Sequence, residues 1–226
     1  MTSFISDLNS TDSKDPLHKW RRLTLAVRAN PKELTTHTQR IMLAMDIHLQ
    51  PYLSGALQDF FITLKTTGRP VKEKIFNLTS PLLDISNRAY FRQWLEEGAD
   101  NNLDCIRYPG ATLSSDTCRK TILDNEENEE NEAAILEAFL NENYDNPIDK
   151  ARYCVAYGNI EDGQRLLERR TLSAKRKQSL IEQELLGLYY HSKNKDALEA
   201  MTQSLLKADK PLSENWKKIQ SIAKEW

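Results

Sequence analysis

From Pro16 to Gly98 apolar residues return every three or four positions, and proline, glycine or asparagine interrupts the runs after about 12–17 residues. That period places them along one face of an α-helix. Leu17, Trp20, Leu23 and Val27 follow Asp15-Pro16, an N-cap acid with proline at the first helical position. Leu34, Ile41 and Met45 mark a second helix over about 33–49. Leu53, Ala56/Leu57, Phe60/Phe61 and Leu64 give the third helix its strong stripe. Val71, Ile75, Leu78 and Leu82 follow Gly68-Arg69-Pro70, and Phe91, Trp94 and Leu95 precede Gly98. Short turns between helices of this length force sequential neighbours to pack antiparallel. The expected fold is therefore all-α, built from stacked antiparallel helical hairpins, and a composition dominated by Leu, Ala, Glu, Lys and Gln agrees.

Four regions follow along the 226 residues. Residues 1–15 are polar and are expected to be disordered. Residues 16–98 form an N-terminal helical-hairpin domain. Residues 99–132 break the rhythm: 99–123 holds a Pro109-Gly110 turn and short apolar runs that suit a small hairpin or an ordered loop. The run DNEENEENE at 124–132 reads as a solvated linker or the exposed start of the next helix. Residues 133–226 form a C-terminal domain, opening with Ala133, Leu136, Phe139 and Leu140 on one helix face. The net charge of −2 hides an acidic segment between two mildly basic blocks.

Two glycines define the C-terminal half. Pro147 opens a helix carrying Ala151, Tyr153, Cys154 and Val155 that Gly158-Asn159 should end, because glycine accepts the positive φ of a C-terminal cap. Gly163 sits one turn into the return helix. A small residue there lets the two helices approach, so leucine should be rejected and alanine tolerated. The figure recurs: a helix over about 174–191, a turn at Lys193-Asn194, and a return helix with Ala197, Leu198, Met201 and Leu205. Gly158 to Lys193 and Gly163 to Leu198 are both 35 residues, one from the tetratricopeptide period. A last helix after Lys210-Pro211 presents Trp216, Ile219 and Ile222 as a cap.

Residues 147–223 thus look like tetratricopeptide-like repeats. Their segments AYGNIEDGQRLLE, LLGLYYHSKNKDALEAMTQSLL and the Trp216-x-x-Ile219-x-x-Ile222 pattern resemble the C-terminal domain of FimV-type bacterial polar scaffold proteins. Lys193 stands where a turn glycine is usual in that family. The resemblance implies helical hairpins that bind other proteins, in pilus, secretion or polar assembly.

Chemistry is sparse. His18, His37, His48 and His191 form no metal-binding pair, and no nucleophile elbow, Walker loop or dinucleotide fingerprint is present. No catalytic, cofactor or metal site is expected. The loop YPGATLSSD at 108–116 has the glycine and hydroxyls to surround an anion, and an enzyme would build its site around 99–123. The basic clusters at 19–22 and 168–177 fall short of the positive balance usual in nucleic-acid binders, and a pI near 6.1 argues against that use. Cys105, Cys118 and Cys154 form no CxxC pair, as expected of free thiols in a reducing cytoplasm. No apolar run is long enough for membrane insertion. The reading that remains is a non-catalytic adaptor, assembly factor or chaperone whose partner is another protein or peptide. Its contact surface is expected on the concave face of the first helices of each pair, at Arg152, Tyr153, Tyr157, Gln183, Tyr189 and Tyr190, with Gly158 and Gly163 as turn and packing residues.

Overall fold

The computed structural model describes residues 15–98, 108–113, 136–174 and 179–226. Among them the chain is helical, with no β-strand. The described N-terminal α-helices are α1 (Pro16–Ala29), α2 (Leu34–Ala44), α3 (Leu53–Leu64), α4 (Arg69–Thr79) and α5 (Ile85–Glu97). Helical turns at 136–143 lead to α6 (Pro147–Tyr157), α7 (Ile160–Ser173), α8 (Ser179–Ser192), α9 (Lys195–Lys207) and α10 (Glu214–Ile222). The expected disordered terminus and the acidic run at 124–132 lie outside the described residues, as does most of 99–123.

Side chains start the helices where local chemistry dictates. The Asp15 carboxylate accepts from the Leu17 amide (3.0 Å), that of Asp84 from Asn87 (2.7 Å), and the Asn146 carbonyl from Ile148 (2.9 Å). Each satisfies a donor that the first turn leaves open. The last helix starts at Glu214, later than Lys210-Pro211 suggests, because the Ser213 hydroxyl accepts from the Trp216 amide. Lys210 instead closes α7. Its ammonium donates to the carbonyls of Thr171, Leu172 and Ala174 at 2.9, 2.5 and 2.8 Å, at the negative end of that helix.

Two apolar clusters hold the fold. One joins Ile41, Leu53, Leu57, Phe60, Phe61, Phe76, Phe91 and Trp94. The other joins Ala151, Val155, Leu167, Leu185, Leu186, Leu198, Met201, Trp216 and Ile219. Helix α1 serves both, placing Trp20 in the first and Leu25 in the second. It lies against α6 and α8. The Trp20 indole donates to the Ala156 carbonyl at 2.9 Å, and Arg28 pairs with Glu161 at 2.7 Å.

Gly158 ends α6 in the left-handed region, at φ +98°, as its position suggests. Lys193, at the equivalent turn, holds φ +53° without being glycine. Gly163 corrects its expectation. A β-carbon there would meet the Ala151 carbonyl oxygen at 2.9 Å and Cys154 Cβ at 3.3 Å. The first contact is backbone and cannot rotate away, so α6 and α7 are too close even for alanine. Gly163→Ala should therefore lower stability in denaturant titrations by about 1–2 kcal/mol, overpacking outweighing the gain in helix propensity. An unchanged or raised midpoint would place the helices further apart than this.

Helix α3 is buried along every face from Leu53 to Phe61, including Gln58 and Asp59. Residues 108–113 run over its polar side. Asp59 accepts from the Thr112 amide (2.9 and 3.0 Å), the Leu113 amide (2.8 Å) and the Thr112 hydroxyl (3.3 Å). Arg40, from α2, donates to Asp59 at 2.5 Å and to the Gly110 carbonyl, with its guanidinium 4.3 Å from the Trp20 ring centroid. Gln58 accepts from the Tyr108 amide, and the Tyr157 carbonyl from the Gly110 amide at 2.7 Å. Gly55 and Gly158 flank the segment, and a β-carbon on either would overlap its backbone. Of the loop groups expected around an anion, the Thr112 hydroxyl faces the protein's own Asp59, and Gly110 bonds to Arg40 and Tyr157 instead. Ser114 and Ser115 lie outside the described residues.

Candidate partner-binding face

Helix α6 carries three of the six expected contact residues on one side. Tyr153 stacks on Tyr157 one turn later, with centroids 5.6 Å apart and planes at 24°. The stretch before α6 adds two rings against Tyr153: Phe139 at 5.3 Å and Tyr144 at 5.5 Å. Tyr52, from the turn before α3, continues toward the N-terminal half and stacks on Trp20 at 5.3 Å. Tyr52, Tyr144, Tyr153 and Tyr157 are half-buried, and Phe139 is exposed. Partial burial pushes the Tyr153 phenol up to about 12, helped by the neighbouring phenols of Tyr157, Tyr52 and Tyr144. Tyr153 therefore stays neutral at physiological pH, within an apolar strip that has polar tips.

Arginines edge the strip. Arg152 makes a two-pronged pair with Glu184 on α8, at 2.9 and 2.8 Å, which holds its guanidinium in place. That hydrogen bond raises its pKa, with Glu184 and Asp149 adding to the effect after the opposing cost of burial. Arg21 of α1 lies close by; burial, then the Arg152 charge, lowers its pKa. His18 on the same helix is pushed below the ordinary histidine range by burial and by Arg21 and Arg22.

The other expected contacts lie elsewhere. Tyr189 is fully buried, donates to Glu168 at 2.6 Å and meets Trp216 edge-on. It belongs to the core, because α8 is covered on all sides from Leu185 to Tyr189. Tyr190 is half-buried against His191 and Trp226 at the C-terminal end of the fold. Gln183 is half-buried on α8. The face made by α6 and α8, expected to stand open, is covered by α1, which contributes Leu25 to its apolar cluster.

Tyr52, Phe139 and Tyr144 were not expected at this face. Their nearness to α6 comes from the turns at 50–52 and 144–146. An open groove of about 1240 Å³ runs between 136–147, α6, α7 and α9. Leu136, Leu140, Leu166, Leu172 and Met201 are among its apolar lining, and charges of both signs rim it. Among the described residues no group of histidines, cysteines and carboxylates is arranged to hold a metal ion. Cys154 is a buried thiol raised to about 12 by burial, hence unreactive. Tyr108, in the 99–123 segment around which an enzyme would build its site, packs against Tyr90 and Phe91.

These features define an all-helical protein whose distinctive surface is an arginine-edged aromatic strip. No described helix is long and apolar enough to cross a membrane. Comparison with family models, curated proteins and solved structures finds no match.

Proposed function

We propose that this chain is a non-catalytic protein-binding module, an adaptor, assembly factor or chaperone, with a tetratricopeptide-like C-terminal half. The observation that carries the reading is the strip of Tyr52, Phe139, Tyr144, Tyr153 and Tyr157, half-open and fixed on packed elements. Rigid tyrosines beside an oriented arginine are typical anchors of protein interfaces, because they offer large contact area at low entropic cost. The site differs from the one the repeat pattern suggests. Helix α1 occupies the concave face, so the partner meets its edge, where α6 and the turn before α3 emerge. The bacterial scaffold resemblance is compatible with this role through the fold alone.

Affinity capture with the full chain tests it. Wild-type protein should retain one stoichiometric protein partner. Changing Tyr144 and Tyr153 together to serine should reduce that capture at least tenfold, with far-ultraviolet circular dichroism unchanged. Undiminished capture by the folded double variant would remove the strip from the interface.

A further inference from the structure

Residues 108–113 are held in the way a bound peptide is held. Five of the segment's main-chain groups and one hydroxyl bond to groups from three helices. The Tyr108 amide meets Gln58, the Gly110 amide the Tyr157 carbonyl, the Gly110 carbonyl Arg40, and the Thr112 amide and hydroxyl Asp59. The Leu113 amide adds a third donor to Asp59. Arg40 and Asp59 are wholly buried, so the recognising charges have no contact with water. The pocket also selects by size. A β-carbon at Gly110 would meet Trp20 at 2.9 Å and Tyr52 at 3.1 Å, and Ala111 is fully buried.

We propose that this clasp is a peptide-binding site that takes, in trans, the Tyr108–Leu113 turn of a second copy of the chain, so that two copies exchange the segment. An empty clasp is disfavoured, because Asp59 and Arg40 lose the hydrogen bonds of the segment and the surface that Ala111 fills is left uncovered. The sequence that satisfies it is a turn of the form Tyr-Pro-Gly-Ala-Thr-Leu, and every second copy carries one. Chain length permits the exchange. Nine residues separate Gly98 from Tyr108, and 22 separate Leu113 from Leu136. Fully extended, these connections reach about 35 Å and about 75 Å. The bonds made in cis and in trans are the same, so concentration decides between them. A tethered segment has an effective concentration in the millimolar range, which favours the closed monomer in dilute solution. Folding at high concentration favours the exchanged dimer, as in other swapped assemblies.

The experiment uses the full chain. Wild-type protein unfolded in denaturant is refolded at about 1 µM and at about 1 mM, and its mass is read by light scattering after size separation. A monomer at the lower concentration and a kinetically persistent dimer at the higher are expected. Monomer at both would overturn the proposal. The site is then identified by co-refolding two variants: Gly110→Leu has the clasp but an occupant too large for it, and Asp59→Ala has the occupant but a broken clasp. The mixture should give a heterodimer that neither variant gives alone. A wild-type dimer without this complementation forms through some other surface, and that result also overturns the proposal. The acetylated, amidated hexapeptide of residues 108–113 should raise the thermal midpoint of Gly110→Leu, and a peptide with leucine for glycine should not. Equal effects of the two peptides would show that the clasp does not read the turn.

Discussion

Asp59→Ala is expected to lower the unfolding free energy by about 3–5 kcal/mol, the range for breaking a buried ion pair. Four donors converge on this one carboxylate: the Arg40 guanidinium, the amides of Thr112 and Leu113, and the Thr112 hydroxyl. Alanine removes all four acceptor contacts and takes the carboxylate from a guanidinium that is wholly buried in the native fold. It also frees 108–113 from α3, uncovering the polar side of a helix otherwise packed in the core. Asp59→Asn keeps the shape but swaps one acceptor oxygen for a donor facing other donors, so it should lie between alanine and wild type. The double change Arg40→Met with Asp59→Ala should cost less than the sum of the single changes, because no unpaired charge remains. Chemical denaturation of these variants, with Arg40→Met alone included, measures this. A loss below about 1 kcal/mol for Asp59→Ala, the size of one ordinary hydrogen bond, would mean that the clasp contributes little to the fold.

The helices and their ends were legible because their causes are local. Asp15-Pro16, Asn146-Pro147 and Gly158 act within one turn of themselves, and each ends or starts a helix where the sequence suggests. The clasp was not legible, because its causes are distant. Gln58 and Asp59 lie off the apolar stripe of α3 and read as its solvent face. Their burial depends on partners 50 to 54 positions away. Gly55, inside a strong helix, was the available signal that another backbone comes close. The strip divides in the same way. Tyr153 and Tyr157 were legible from helical spacing, while Tyr52 and Tyr144 arrive by turns. Tyr189 shows the limit of spacing alone, since a tyrosine on a helix reads alike as anchor or core until its neighbours are known. The clasp also changes what a deletion means: replacing 99–123 by a neutral linker removes a core element, so loss of function in that variant does not distinguish catalysis from binding.

Gly158 offers the sharpest test of how local and distant causes combine. As a helix cap alone, at φ +98°, it should lose roughly 1 kcal/mol on change to alanine, and asparagine should recover part of that because it tolerates the left-handed region. The structure adds a second demand. A β-carbon at this position would overlap the Ala111 carbonyl and lie 3.2 Å from the Gly110 carbonyl carbon. Both belong to the segment held by Asp59 and Arg40, which cannot retreat without breaking those bonds. Overpacking against fixed backbone adds about 1–3 kcal/mol, so Gly158→Ala should lose roughly 2–4 kcal/mol in all. Gly158→Asn should be no better, since its β-carbon meets the same carbonyl. Lys193 supplies the control, because it holds a similar φ of +53° at the matching turn. Lys193→Gly should be neutral or stabilising there through relief of φ strain. If Gly158→Asn proves clearly more stable than Gly158→Ala in denaturant titrations, the cap dominates and the approach of 108–113 to α6 is looser than described.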